Sequence, residues 1–199
     1  MQIDEKRSEQ YSFRYERKFF IINQDILQIR NKINTHPAIF SEIFQRRLIN
    51  NIYFDTESFK HYHDNITGNM KRFKIRIRWY GECFDFIEKP ILEIKIREGL
   101  LGRKIKHEIH SFNMDKHFNN EYIVDIIRKS NLPDSIISEM QLLRPVLLNR
   151  YQREYYLSSD KNYRITKDNK QSSGGISSGK ERLLFTFASL PGVCPGCAA

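Results

Sequence analysis

The sequence predicts an α+β fold: a strongly curved antiparallel sheet with helices at its periphery. Two observations carry that prediction. Seven segments alternate apolar and polar residues with period two, the spacing of a half-buried strand. Between them lie stretches with apolar residues at helical spacing, short enough to cap a sheet.

Taken in order, the first strand is expected over 12–21, SFRYERKFFI. Ile22, Ile26, Ile29 and Ile33 then recur on one helical face, and His36-Pro37 ends that helix because the residue before proline is driven out of the α region. Strands follow at 47–54, 72–80, 90–98 and 103–112, with a short helix at 57–65 begun by Asp55-Thr56. Residues 115–130 read as a helix with Asp115 as N-cap and Tyr122, Ile123, Ile126 and Ile127 on one face. A further short helix is expected at 133–142, and the last two strands at 145–157 and 162–168.

The charges on these strands are more informative than the strands themselves. In KRFKIRIRWYG, Lys74, Arg76 and Arg78 occupy one face and Phe73, Ile75, Ile77 and Trp79 the other. ILEIKIRE repeats the pattern, with Glu93, Lys95 and Arg97 opposite Leu92, Ile94 and Ile96. The same parity places Arg14, Glu16 and Lys18 together on the first strand, and Lys104, Lys106 and Glu108 on the fifth. On the last two it places Arg153 with Tyr155, and Arg164 with Thr166 and Asp168. Gln152 and Glu154 break the rule by falling on the other face. Like charges side by side repel, so a row of cations calls for an anion from outside the chain. Arginine forks bind phosphate oxygens two at a time, and lysine supplies a compact point charge. The competing view, a solvated charged face over a conventional core, requires no ligand but leaves the regular sign unexplained.

Composition agrees with a polyanionic partner. The 199 residues carry a formal net charge of +9, which suits nucleic acid, an anionic membrane or phosphate chains alike. No apolar stretch approaches the ~18 residues of a transmembrane helix. MQIDEKRSEQ lacks the apolar core of a signal peptide, and three cysteines make no disulfide framework, so the cytoplasm is expected. Cys194 and Cys197 have the spacing of half a zinc site without a second half. His61 and His63 lie two apart in a helix and do not share a face, and His107 and His110 fall on opposite faces of a strand. There is no Walker loop, no G-x-S-x-G elbow and no H-E-x-x-H. Three regions emerge: an arm over 1–10, a domain over 11–170, and a Gly/Ser-rich tail over 171–199 that holds five of the nine glycines.

Several stretches in the order RYERKFFI, NNIYFDT, KIRIRWYG, LEIK, GLLGRK, RPVLLNRYQREYY and YRITKD resemble the VTC domain, the polyphosphate-polymerase branch of the triphosphate tunnel metalloenzymes (the CYTH-like superfamily). The likeness covers about residues 11–168, and NNIYFDT combined with RIRWYG is its most specific part. It implies an eight-stranded antiparallel barrel whose basic lining grips triphosphate or polyphosphate with a divalent ion, manganese or magnesium. It also implies transfer of the terminal phosphate of ATP to a growing chain. Carried over by motif, Lys18, Arg76, Arg78 and Lys95 are the expected catalytic cations, and Lys104, Arg153 and Arg164 the phosphate-binding ones. Lys74 joins them from the alternation alone, and Glu16 and Glu93 are the expected metal or lysine-orienting carboxylates.

The tail departs from that pattern. The family ends on an acidic Glu-x-Lys strand and a final basic segment, whereas QSSGGISSGK and LPGVCPGCAA match neither. The last strand is therefore expected to be missing, or replaced by LLFTFASL, which brings no carboxylate. That leaves four readings of function: a polyphosphate polymerase, a triphosphatase using the same tunnel, a silent polyphosphate-binding module, and a nucleic-acid-binding β domain using Tyr53, Trp79 and Tyr80.

Overall fold

The computed structural model describes residues 16–21, 26–170 and 183–189. Its elements in chain order are β1 (Glu16–Ile21), α1 (Ile26–Asn34), β2 (Ser41–Asp55), α2 (Lys60–Thr67), β3 (Lys71–Tyr80), β4 (Asp85–Ile87), β5 (Ile91–Glu98) and β6 (Leu101–Glu108). After them come β7 (Phe112–Met114), α3 (Asn120–Lys129), α4 (Asp134–Gln141), β8 (Arg144–Leu157), β9 (Tyr163–Lys170) and β10 (Leu183–Ser189). The fold is α+β, and the strands hydrogen-bond in the order β1-β10-β9-β8-β2-β3-β5-β6, with β4 and β7 forming a separate pair. A closed eight-stranded barrel is not part of this description, because the order begins at β1 and ends at β6.

The described residues fall into two compact units, one of Arg47–Gln152 and one of the residues up to Arg46 with Arg153–Lys170 and β10. In the Arg47–Gln152 unit the ladder is antiparallel and its register exact over four strands, β2, β3, β5 and β6. Tyr53 faces Arg76, Arg76 faces Glu93 and Glu93 faces Lys106, while Lys74 faces Lys95 and Lys95 faces Lys104. Period-two alternation therefore sorts the sheet into two surfaces. Ile52, Phe54, Ile75, Ile77, Trp79, Leu92 and Ile94 bury themselves against Ile123, Ile126 and Ile127 of α3 and Met140 of α4. Cutting any one of these isoleucines to alanine costs about 2–5 kcal/mol. The cations are left on the face turned away from α3 and α4.

Local signals explain the helices. The carboxylate of buried Asp55 accepts hydrogen bonds from the backbone N–H groups of Thr56, His61 and Tyr62, each at 2.8 Å, which fixes the entry to α2. Gly68 ends α2 in the left-handed region at φ 74°, where a side chain would be strained. α3 starts at Asn119, whose side chain accepts from Tyr122 N at 2.8 Å. The expected cap, Asp115, instead accepts from His117 N within a turn and leaves the helix five residues shorter at its start.

In the second unit, β10 pairs antiparallel with β1 on one side and β9 on the other. LLFTFAS is thus a strand of the sheet. Ile29 and Ile33 of α1 bury against Phe40 and Tyr156. The parts of the first strand and helix at 12–15 and Ile22, with Arg14, Cys194 and Cys197, lie outside the described residues.

Two strand boundaries differ from expectation. β2 begins at Ser41, because SEIFQRR is an exposed strand start without the apolar alternation that marks a half-buried one. The segment 103–112 divides, since Ile109 N turns to Pro90 O and His110 N to the Ser130 hydroxyl, so that Phe112–Met114 pairs with β4 instead.

Candidate functional site

On the cationic face of β3, β5 and β6, buried Glu93 is the centre. Arg76 reaches its Oε2 with Nε at 2.8 Å and Nη2 at 2.5 Å, Arg78 approaches to 3.7 Å, and Lys104 Nζ holds Oε1 at 2.6 Å. Burial pushes the Glu93 carboxyl up, but the hydrogen bonds from Lys104 and Arg76 and the charges of Arg76 and Arg78 outweigh it and hold it at about 2. Lys104 moves down from the ordinary lysine value, because burial and the neighbouring charges of Arg76 and Lys106 outweigh the carboxylate. Around the cluster, polar partners fix the forks: Arg76 Nη1 donates to the Tyr53 hydroxyl at 3.0 Å and Arg78 Nε to Asn51 Oδ1 at 2.9 Å. Tyr151 accepts from Arg78 Nη2 at 3.3 Å. Three cations around one carboxylate leave two positive charges on a surface that is only partly covered.

Further along the same strands the cations meet each other directly. Arg72 faces Arg97, and Lys74 faces Lys95, which faces Lys104. Lys74, Lys95, Arg72 and Arg97 line a cavity of about 260 Å³ together with Asn65 and Gly68 of the α2 end. Like charges directly opposed across strands destabilise a sheet, so the arrangement favours any polyanion that lies over it.

The ten residues expected from the sequence divide between the units. Lys74, Arg76, Arg78, Glu93, Lys95 and Lys104 share the face just described. In the other unit Lys18 Nζ lies 3.4 Å from Glu16 on β1. Arg153 grips Asp168 through Nε at 2.5 Å and Nη2 at 2.6 Å, and Arg164 is half-buried on β9. Asn51 and Tyr151 were missed, and Tyr53 was expected only as a nucleobase platform, although the alternation in RLINNIYF already put Asn51 and Tyr53 on one face. The unit that contains Arg153–Lys170 holds a second carboxylate hub, on the face of β8 opposite Arg153. Glu154 meets Arg30 and Arg46 at 3.3 Å and Lys167 at 3.1 Å, and accepts from the Tyr156 hydroxyl at 2.6 Å. Burial and the Glu154 carboxylate push Tyr156 up to about 12.

The geometry bears on the rival readings. Trp79 is buried with Phe112 in the core and donates to Glu82 O at 2.9 Å, so it offers no platform to a nucleobase. Tyr53 is engaged by Arg76 and only Tyr80 remains exposed. Among the described residues no three His, Cys, Asp or Glu side chains gather as a metal cluster.

These features define an α+β domain with a polycationic sheet face. The chain belongs to the VTC domain family, whose pattern matches residues 13–176. No protein of curated function matches the sequence. Among solved structures, a candidate adenylate cyclase from Vibrio parahaemolyticus superposes with a TM-score of 0.51 at 11% identity, over 92% of this chain and 78% of that one. A protein from Pyrococcus horikoshii OT3 gives a TM-score of 0.47 at 14% identity, over 88% and 78%. The first of these likenesses shows the fold. No helix among the described residues is long and apolar enough to cross a membrane.

Proposed function

We propose that this chain binds triphosphate and polyphosphate over the cationic face and transfers the terminal phosphate of ATP to a polyphosphate chain, in the cytoplasm where ATP is made available. The observation that carries the reading is Glu93 with Arg76, Arg78 and Lys104 gathered on it. The carboxylate keeps the forks aimed and partly neutralised until phosphate oxygens take them over. In the transfer, an oxygen of the chain's terminal phosphate attacks the γ-phosphorus of ATP. The bond to the β-phosphate oxygen breaks and ADP leaves with the electron pair. Arg76, Arg78 and Lys95 offset charge on the transferred group and leaving diphosphate, and Lys74 and Lys104 hold the chain. Lys18, Arg153 and Arg164 belong to the same reading as further phosphate contacts.

Glu93 as arranged is a counter-ion and does not fit a metal, since the three cations on its oxygens repel a divalent ion. Manganese or magnesium therefore enters this reading with the phosphates of ATP, and Glu16 stays paired with Lys18. A silent binding module is the second reading, and it is favoured by this engagement of Glu93. ADP release and chain growth from ATP with manganese, measured beside calorimetric binding of tripolyphosphate, separate the two. Binding with turnover supports the polymerase, and phosphate release without chain growth supports a triphosphatase. Binding alone leaves the silent module, and equal affinity for a single-stranded oligonucleotide overturns all three.

A further inference from the structure

One end of the Arg47–Gln152 unit carries an apolar tip that the core has no use for. Leu100, in the turn joining β5 and β6, is 95% exposed; Met70, just before β3, is 77% exposed, and Leu101 71%. Backbone bonding brings them together, for Gly99 N donates to Met70 O at 2.8 Å. A Cβ at Gly99 would stand 3.6 Å from the Met70 methyl, so the methionine lies over the turn. Gly99 takes φ 57°, a conformation that lets the hairpin reverse and push Leu100 outward. Ile66, on α2, adds a further exposed apolar side chain.

Immediately behind the tip stand cations fixed to the same backbone. Arg97 Nε donates to Gly99 O at 3.2 Å, and Arg72 Nη1 to Asn69 O at 3.0 Å. These two arginines line the cavity shared with Lys74 and Lys95. Lys71 is also at this end, 3.4 Å from Glu98, the acidic side chain of the turn. A protruding apolar point with a cationic collar behind it matches the layering of an anionic bilayer surface. The side chains enter the acyl boundary and the guanidinium groups lie at headgroup depth.

The geometry points to a peripheral membrane contact: the β5–β6 turn with Met70 inserts shallowly into an anionic lipid surface, and Arg72 and Arg97 bind its headgroup phosphates. A protein partner would more readily cover a flat or concave apolar patch, whereas here the most exposed large apolar residue stands on a convex turn. This inference uses residues beyond the Glu93 cluster and does not rest on the proposed phosphotransfer.

Vesicle flotation of the full chain tests it, with phosphatidylcholine vesicles compared with vesicles in which about one lipid in three is phosphatidylserine. The chain is expected to float with the anionic vesicles and release as salt rises through the range where the Debye length shrinks. Leu100→Asp with Leu101→Asp should cut vesicle binding at least tenfold while leaving tripolyphosphate affinity unchanged. Arg72→Ser with Arg97→Ser should cut it comparably and flatten the salt dependence. Both pairs are at the surface, and unchanged thermal melting confirms their folding; if either pair melts early, Leu100→Asp alone replaces it. Equal flotation on neutral lipid, no flotation at all, or full flotation of the Leu100→Asp, Leu101→Asp protein overturns the proposal. So does complete displacement of the wild type by free tripolyphosphate, which would assign the cations to phosphate without lipid. Self-association that disappears with the Leu100→Asp, Leu101→Asp pair while vesicles are ignored would assign the tip to a protein contact, and the proposal falls.

Discussion

Glu93 and Glu154 are the same motif in two settings. Each is a buried glutamate with three cations within 4 Å, on a strand of an antiparallel sheet. Around Glu93 the side chains of Arg76 and Lys104 are 22% and 42% exposed, and the cluster looks out from the face away from α3 and α4. Around Glu154, Arg30 and Arg46 are 31% and 45% exposed, but Lys167 is 2% exposed and the Tyr156 hydroxyl completes the carboxylate's shell, so the difference lies in the sealed lysine. A carboxylate whose cations keep some water can exchange partners. One whose lysine is sealed cannot, because every removed contact leaves a charge in low dielectric. The first arrangement suits ligand binding and the second holds α1 to its sheet through Arg30.

The sharpest way to break this contrast is to remove the two carboxylates in turn. Glu154→Gln leaves Lys167 buried without its counter-charge and should cost about 3–5 kcal/mol of stability, read in urea unfolding. Glu93→Gln should cost about 1–2 kcal/mol and tighten tripolyphosphate binding, because the competing anion is gone. If both variants lose stability equally, the two hubs are equivalent and the assignment of Glu93 to ligand exchange fails.

Arg76→Ala with Arg78→Ala comes next. Two charge-assisted phosphate contacts should be lost, weakening tripolyphosphate about a hundredfold in calorimetry. The midpoint of unfolding should fall as well, because buried Glu93 then keeps only Lys104 as its counter-charge.

Acid provides the third comparison. Both carboxyls are depressed in the folded protein, so each contributes stability that is complete above the ordinary glutamate range and lost as pH falls. For Glu93 the loss should run from the ordinary glutamate range down to about 2, and the carboxyl's own titration, followed by carbon NMR, should centre at about 2. Tripolyphosphate draws Arg76, Arg78 and Lys104 away and should raise the Glu93 titration while leaving Glu154 in place. A ligand-independent Glu93 would count against contact with phosphate.

The smallest effect belongs to Tyr53→Phe. It removes the hydroxyl that accepts from Arg76 and should cost about 1 kcal/mol of tripolyphosphate affinity, with the unfolding midpoint nearly unchanged.

The cationic face was legible because strand periodicity is strict: once Ile75 and Ile77 are assigned to the core, Lys74, Arg76 and Arg78 have one direction left. The family order of motifs was legible for the same reason, since the motifs are those strands. What stayed hidden depends on long-range pairing. SEIFQRR becomes strand only through its neighbours, and the role of Glu154 needs Lys167 and Arg30, which lie far away in sequence. Asp115 and Asn119 are equally good caps on paper, and packing of Tyr122 and Ile123 chose between them.

The insertion of β10 between β1 and β9 sets an order on biosynthesis. Glu16 pairs with Ala188 and Ile21 with Leu183, among the longest loop closures the chain contains. Arg47–Gln152 is contiguous, and its ladder joins neighbours in sequence, so it has all it needs to collapse while the ribosome is still adding β10. Until that last strand emerges, β1 and β9 expose unpaired edges, the surfaces on which nascent chains aggregate. A folding delay or chaperone demand in this protein should therefore trace to the seven residues of β10, Leu183–Ser189.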